Sequence, residues 1–266
     1  MKKMYFFLLS CLTVLVSCNN DDEKSPEKKL ILPKSIISKS VNGSYTSVTN
    51  FLYDGNKILK ISSSNKRNEY VYEGDKIVKE TKYSSESGIE LKISETSFTY
   101  ENDKLVVVDK ISEGTRFKYL YIYNEDGTVN REEYLINDKM GKELKTPTLQ
   151  TLSFTEGNLT KIESYYEYDS ITFSETYLFN YDTSNSAFKN ILGLKYLLNE
   201  GNLDTIGSFS AINNLNRVSH YTTCQSDNIK YNYTTGVKYE YNKEGYPTKK
   251  ISFAVDDVNE ITEYIY

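Results

Sequence analysis

A short unit recurs along this chain, and it leaves little choice of local fold. Phe51-Leu52-Tyr53-Asp54-Gly55-Asn56-Lys57-Ile58-Leu59-Lys60-Ile61 is the clearest copy. Tyr70 to Lys79 and Phe98 to Val108 repeat it closely; Tyr121 to Gly127, Leu152 to Ile162 and Tyr239 to Gly245 are looser copies. Tyr264-Ile265-Tyr266 has the form of its opening half. Aromatic-x-aromatic puts two rings on one face of a strand, because side chains alternate. Asp-Gly-Asn-Lys and Glu-Gly-Asp-Lys then supply residues that tolerate positive φ, the mark of a tight turn. An aliphatic run follows and returns antiparallel, so each unit reads as a β-hairpin.

A three-residue loop at Gly55 to Lys57 sets Tyr53 opposite Leu59 and Phe51 opposite Ile61. That register gathers Phe51, Tyr53, Leu59 and Ile61 on one face, and Phe98, Tyr100, Val106 and Val108 in the third copy. Ile58, Ile77, Leu105 and Leu159 fall on the other parity, either capping the hairpin end or marking a bulge. The spacing between units is uneven, unlike a solenoid or propeller. The expected fold is therefore mostly β: an antiparallel β-meander of repeated hairpins over residues 31–266, forming a curved sheet or partial barrel. Its turns fall at Gly55, Gly74, Asn102, Gly127, Gly157 and Gly245. One short inserted helix is expected near Phe188 to Leu198, where Phe188, Ile191, Leu192 and Leu198 follow helical spacing. Extended structure should resume from Phe209.

The amino terminus obeys other rules. Lys2 and Lys3 precede a short apolar run, Met4 to Val16. The run is too short for a stable membrane-spanning helix, and its flanks are those of a secretory signal. Leu15-Val16-Ser17-Cys18 resembles the lipobox of bacterial lipoproteins. That resemblance implies removal of residues 1–17 and acylation (palmitate-type chains) of Cys18, each buried methylene contributing roughly 0.8 kcal/mol to membrane binding. The alternative is a plain signal peptide with Cys18 incidental. Residues 18–30 are polar and read as a flexible acidic tether. Within it, Asp21-Asp22-Glu23 is either a solvated linker or, by resemblance, a surface-export signal of Gram-negative lipoproteins.

The chain of 266 residues carries a formal net charge of −5, which offers no basic field to nucleic acid. Besides Cys11 in the signal and Cys18, only Cys224 remains, so the domain does not rely on disulfides. His220, the one histidine, lies about 13 Å along a strand from Cys224, too far for a Cys–His pair or joint metal ligation. Carboxylates cluster at the turns, where they serve turn chemistry. No phosphate-binding glycine loop or nucleophile elbow occurs. No catalytic residue, metal ligand or cofactor is therefore assigned. The 25 tyrosines suggest a different use. Tyr165, Tyr166, Tyr168, Tyr177, Tyr231 and Tyr233 are candidates for stacking on a glycan or peptide, with Tyr165, Tyr168 and Tyr233 foremost; the alternative is half-buried strand filler.

The repeat resembles the tyrosine-aspartate repeats of Rhs-type β proteins. Signal, acidic tether, Tyr-x-Tyr-Asp-x-Gly units and the Asn-Ser-Ala-Phe-Lys-Asn insertion together resemble uncharacterised Gram-negative surface lipoproteins, domain-of-unknown-function families with sheet or porin-like folds. The resemblance implies a protein lipid-anchored at the outer membrane, displayed at the cell surface or on the periplasmic face. Its expected role is non-enzymatic, a binding or structural module. The alternatives are an extracellular hydrolase acting on glycan or protein, or a carrier of an apolar ligand in a curved sheet. A closed core favours the module, a polar cleft the hydrolase and an open apolar groove the carrier.

Overall fold

The computed structural model describes residues 30–86, 88–137, 140–168, 171–198, 200, 210–224, 230–254 and 257–266. The signal, Cys18 and the tether up to residue 29 lie outside the described residues. The rest is a meander of sixteen antiparallel strands. They are β1 (Ser35–Ser40), β2 (Thr46–Asp54), β3 (Lys57–Ser62), β4 (Lys66–Glu73), β5 (Lys76–Glu86) and β6 (Ile89–Glu101). Then come β7 (Lys104–Ser112), β8 (Thr115–Tyr123), β9 (Val129–Asn137), β10 (Lys142–Thr155) and β11 (Asn158–Tyr168). The last are β12 (Ile171–Asn185), β13 (Asn213–Cys224), β14 (Lys230–Tyr241), β15 (Pro247–Ala254) and β16 (Asp257–Ile265). Every strand pairs with its neighbours in sequence, and β1 pairs with β16 from Ser35↔Ile265 to Ser40↔Glu260. The expected curved sheet thus closes completely into a barrel.

All six expected turns are present, but the register inside the units differs from the three-residue loop. Asp54 faces Lys57 across Gly55-Asn56, Tyr53 faces Ile58 and Leu52 faces Lys60, with a bulge between Leu52 and Tyr53. The bulge restores Phe51↔Ile61. Ile58 therefore points inward and is fully buried, while Leu59 is on the outer wall. The same bulge lies at Val71/Tyr72, Thr99/Tyr100 and Ser153/Phe154. In the third copy Tyr100 faces Leu105, and Leu105 rather than Val106 joins Phe98 and Val108 in the core. A two-residue turn needs positive φ, which Gly55 has at 59°. The extra residue shifts parity by one, so the aliphatic residue directly after the turn becomes lumenal.

The bulges have a second consequence. The tyrosine beside a turn reaches sideways to the backbone of the preceding hairpin at the matching position. Tyr100 donates its hydroxyl to the Ile77 carbonyl (2.8 Å), Tyr181 to Leu159 (2.7 Å), Tyr266 to Pro247 (2.9 Å) and Tyr53 to Pro33 (2.9 Å), just before β1. The Ile58 N–H donates to the Tyr72 hydroxyl (3.1 Å), and Tyr239 donates to Leu215 (3.0 Å). At these positions the aromatic-x-aromatic pattern therefore stitches one hairpin to the one before it. Phe154 occupies the same position with no hydroxyl.

Sixteen strands enclose more space than short side chains can fill. On β4 to β9 the lumen is occupied by Tyr70, Phe98, Tyr119 and Tyr121, all buried. Between β12 and β13 the chain plugs the end of the barrel that carries these turns. The segment expected to be helical is a series of turns with only a one-turn 3-10 helix, Leu194–Tyr196. Gly193 before it has φ 86°, which interrupts any helix. Backbone bonds hold the plug to the rim instead: Leu192 N–H donates to Asn56 (2.9 Å), and its carbonyl accepts from Tyr72 (3.0 Å). Ile191, Leu194 and Leu197 are buried in the shared core. Residues 201–209, including Phe209, lie outside the described residues, and described strand structure resumes at Asn213.

The outer wall is charged. Lys79–Glu95 (3.0 Å), Arg116–Asp109 (2.6 Å), Lys145–Glu132 (2.6 Å) and Lys249–Glu240 (3.0 Å) span it, with single apolar residues such as Leu52 and Ile122 between them. A barrel that spans a membrane has the reverse arrangement, an apolar band outside and polar side chains within.

Candidate functional site

The lumen is filled unevenly, and the sequence of the strands explains why. Where β8 and β12 present Tyr119 and Tyr177 to the lumen, β2, β14 and β16 present Thr49, Thr235 and Thr262. Ser38 and Ser252 extend this small, hydroxylated wall on β1 and β15. A cavity of about 580 Å³ results, bounded by β1, β2 and β13 to β16. Its floor is the plug, through Ala187 and Phe188, with Phe51 packed against Phe188 at 5.9 Å between ring centroids. Val218 and Val237 form its apolar sides. It extends to Tyr45 and Asn259 at the opposite rim, both exposed.

One charged pair faces this space. Lys250 Nζ lies 3.6 Å from Glu260 Oε1. Glu260 also accepts from the Tyr45 hydroxyl and from Thr262 Oγ1 (3.0 Å), and Thr262 is bonded in turn to Ser38 (3.1 Å). Neighbouring strands β15 and β16 set this arrangement, since Lys250 pairs with Thr262 in the register.

A second lumenal cluster lies on β11 to β14. His220 stacks on Tyr177 at 4.1 Å and meets Tyr233 edge-on at 5.0 Å. Its Nε2 is 3.2 Å from Thr222 Oγ1 and 3.9 Å from Glu175 Oε1. Tyr166 donates to the same carboxylate (3.4 Å) and stacks on Phe173 at 5.1 Å. Burial, with the Glu175 charge beside it, pushes the Tyr177 hydroxyl up to about 12. Nearer the plug, Arg131 and Tyr121 both donate to Glu200 Oε1, at 3.0 and 2.6 Å. Arg131 also lies over the Tyr119 ring at 3.7 Å. This buried network ties β8 and β9 to the plug.

The structure places Tyr165 and Tyr233 on opposite faces of the wall. Tyr165 lies on the outer wall, because its neighbour Ser164 is buried in the lumen. Tyr233 faces inward against His220, half exposed at the mouth. The Tyr168 and Tyr231 side chains and Cys18 lie outside what is described. Tyr166 and Tyr177 are lumenal and belong to the His220 cluster. Cys224 is buried. Among the described residues, no group of three His, Cys, Asp or Glu side chains is placed to hold a metal.

Sequence reasoning missed Lys250, Glu260 and the hydroxylated wall. A signal existed: Lys249 and Lys250 are adjacent in a strand, so alternation must send one of them inward. Glu260 and Thr262 likewise share the parity of Tyr264, a repeat aromatic.

No family model matches the chain, and no curated protein matches it. Among solved structures, a porin-like protein from Bacteroides uniformis is similar at 13% identity. The match covers 87% of this chain and 96% of that one, with a TM-score of 0.43. A protein of unknown function from Bacteroides fragilis is also 13% identical, covering 67% of this chain and 84% of that one, with a TM-score of 0.16. At these scores neither likeness bears on the function.

Proposed function

We propose that this protein is a lipid-anchored, non-enzymatic binding module of the bacterial cell envelope, and that its barrel lumen takes a small ligand. The observation that carries the reading is the cavity inside a closed, plugged barrel. A volume of about 580 Å³ is in the range of small-molecule sites, which favour the mouths of β-barrels. Carboxylates of the lumen support a binding role over hydrolysis, since they are held by neighbours: Glu260 by Tyr45 and Thr262, Glu175 by Tyr166, Glu200 by Arg131 and Tyr121, and Glu80 by Tyr70 and Asn68.

The anchor follows from the lipobox resemblance at Cys18, and the charged outer wall supports attachment by lipid rather than by the barrel itself. The described chain starts on the plugged rim, where Asn190 donates to the Ile31 carbonyl (2.9 Å). A tether from Cys18 would join at that rim, which leaves the mouth at the end away from the attachment point. The outer membrane is the proposed location, with display at the surface.

Cys18→Ala is expected to release the protein from membranes into the soluble fraction. Protease applied to intact cells is expected to digest the domain. Unchanged fractionation would refute the anchor, and full protection behind an intact outer membrane would place the domain in the periplasm. Hydrolysis of a glycan or peptide by the Cys18→Ala chain, lost on changing a pair of lumenal carboxylates, would overturn the non-enzymatic reading.

A further inference from the structure

The cavity is polarised along its length. Phe188 and Phe51 give the plug end an apolar floor beside Ser186 and Asn214, while Val218 and Val237, paired with Thr235 and Ser252, stand among the hydroxyls and the Lys250–Glu260 pair that line the rest. The two members of that pair are not equally satisfied. Glu260 accepts from two hydroxyls, Tyr45 and Thr262, and so has partners without the lysine. Lys250 has three donors, and its one partner among the described residues is Glu260 at 3.6 Å, beyond hydrogen-bond length. Thr49, Thr235 and Ser252 also line the cavity, with no side-chain hydrogen bond to any described residue. An ammonium and three hydroxyls therefore present unused donors above an apolar floor.

Resting on the lumenal-binding reading above, we propose that the cavity takes an amphipathic monoanion, its apolar body on the plug and its anionic head on Lys250. A carboxylate is the simplest such head. Charge-assisted hydrogen bonds to an ammonium are about twice as strong as neutral ones. The hydroxyls supply donors for the remaining oxygen. A cationic head would meet the Lys250 ammonium beside Glu260, the one carboxylate among the described lining residues.

The test uses the full chain carrying Cys18→Ala, purified without detergent, and titration calorimetry with dodecanoate and dodecan-1-ol. Dodecanoate is expected to bind at least tenfold more tightly than the alcohol. Lys250→Met keeps the stem and removes the charge. It is expected to weaken dodecanoate about tenfold or more and to leave the alcohol unchanged. Ser252→Phe fills the cavity and is expected to abolish both; Thr235→Phe on the neighbouring strand serves if that variant does not fold. Equal binding of acid and alcohol, unmoved by Lys250→Met but lost in Ser252→Phe, would overturn the anionic assignment while the lumenal site stands. Binding that survives both filling variants, or no binding of either probe, would overturn both.

Discussion

At the scale of single residues, the repeat tyrosines have a job that their spacing alone does not reveal. Tyr100 faces the core with its ring and bonds the Ile77 carbonyl with its hydroxyl. Tyr100→Phe keeps the ring and leaves that carbonyl without its partner. A loss of about 1–3 kcal/mol is expected in urea unfolding. Tyr165→Phe on the outer wall is expected to stay within about 0.5 kcal/mol. Equal effects would show that the hydroxyl bond contributes nothing. Glu200→Ala is a harsher change, because it strands the Arg131 guanidinium in the lumen. Removing one partner of a buried pair costs about 3–5 kcal/mol. The Glu200→Ala, Arg131→Met double variant is expected to recover part of that loss. No recovery would mean that the network acts through Tyr121 alone.

At the scale of elements, the plug depends on close backbone contact with the turn between β4 and β5. A Cβ on Gly193 would sit 3.0 Å from the Asp75 carbonyl oxygen and 3.2 Å from the Ile77 nitrogen. Gly127 has a similar positive φ but nothing within 4 Å of its would-be Cβ. Gly127→Ala therefore isolates the backbone strain, about 1–2 kcal/mol. Gly193→Ala adds the collision and is expected to cost at least about 1 kcal/mol more, read by the shift in urea midpoint. Matching shifts would mean that the plug gives way freely. The plug also shows why helical spacing misled. Phe188, Ile191 and Leu194 do recur at intervals of three, but they follow a turn path, with the backbone bonded to the rim. Fifteen residues of moderate propensity have too little helical stability to resist that docking.

At the scale of the whole molecule, the barrel joins many buried phenols into one cooperative unit. Burial raises the hydroxyl of Tyr72 to about 12, as it does that of Tyr177, and pushes Tyr70 and Tyr121 well above the ordinary value. Each of these groups holds its proton more tightly folded than unfolded. Between pH 10 and about 12 the unfolded chain has lost protons that the folded one keeps, so stability falls as pH rises. Below pH 10 this contribution is fully present. Urea unfolding at rising pH is expected to show a flat midpoint up to about pH 9 and a steep fall above 10. A midpoint unchanged to pH 11.5 would contradict the burial of these phenols.

The sequence by itself determined the hairpins, their turns and the inward face of the aromatic strand in each unit. These follow from local rules, namely alternation along a strand and positive φ at Gly55 or Asn102. The proposed export and lipid signals rest on linear motifs alone. The sequence left closure open. Whether Ser35 meets Ile265 depends on the accumulated twist and stagger of every strand, which no local window contains. The bulges lay at the boundary between the two: the off-parity Ile58, Ile77, Leu105 and Leu159 flagged them, and only the paired strands chose bulge over cap. The candidate site was legible least. Its cavity is lined by the small side chains of Thr49, Thr235 and Thr262, and those residues are brought together only when β2 meets β14 and β16 around the closed wall.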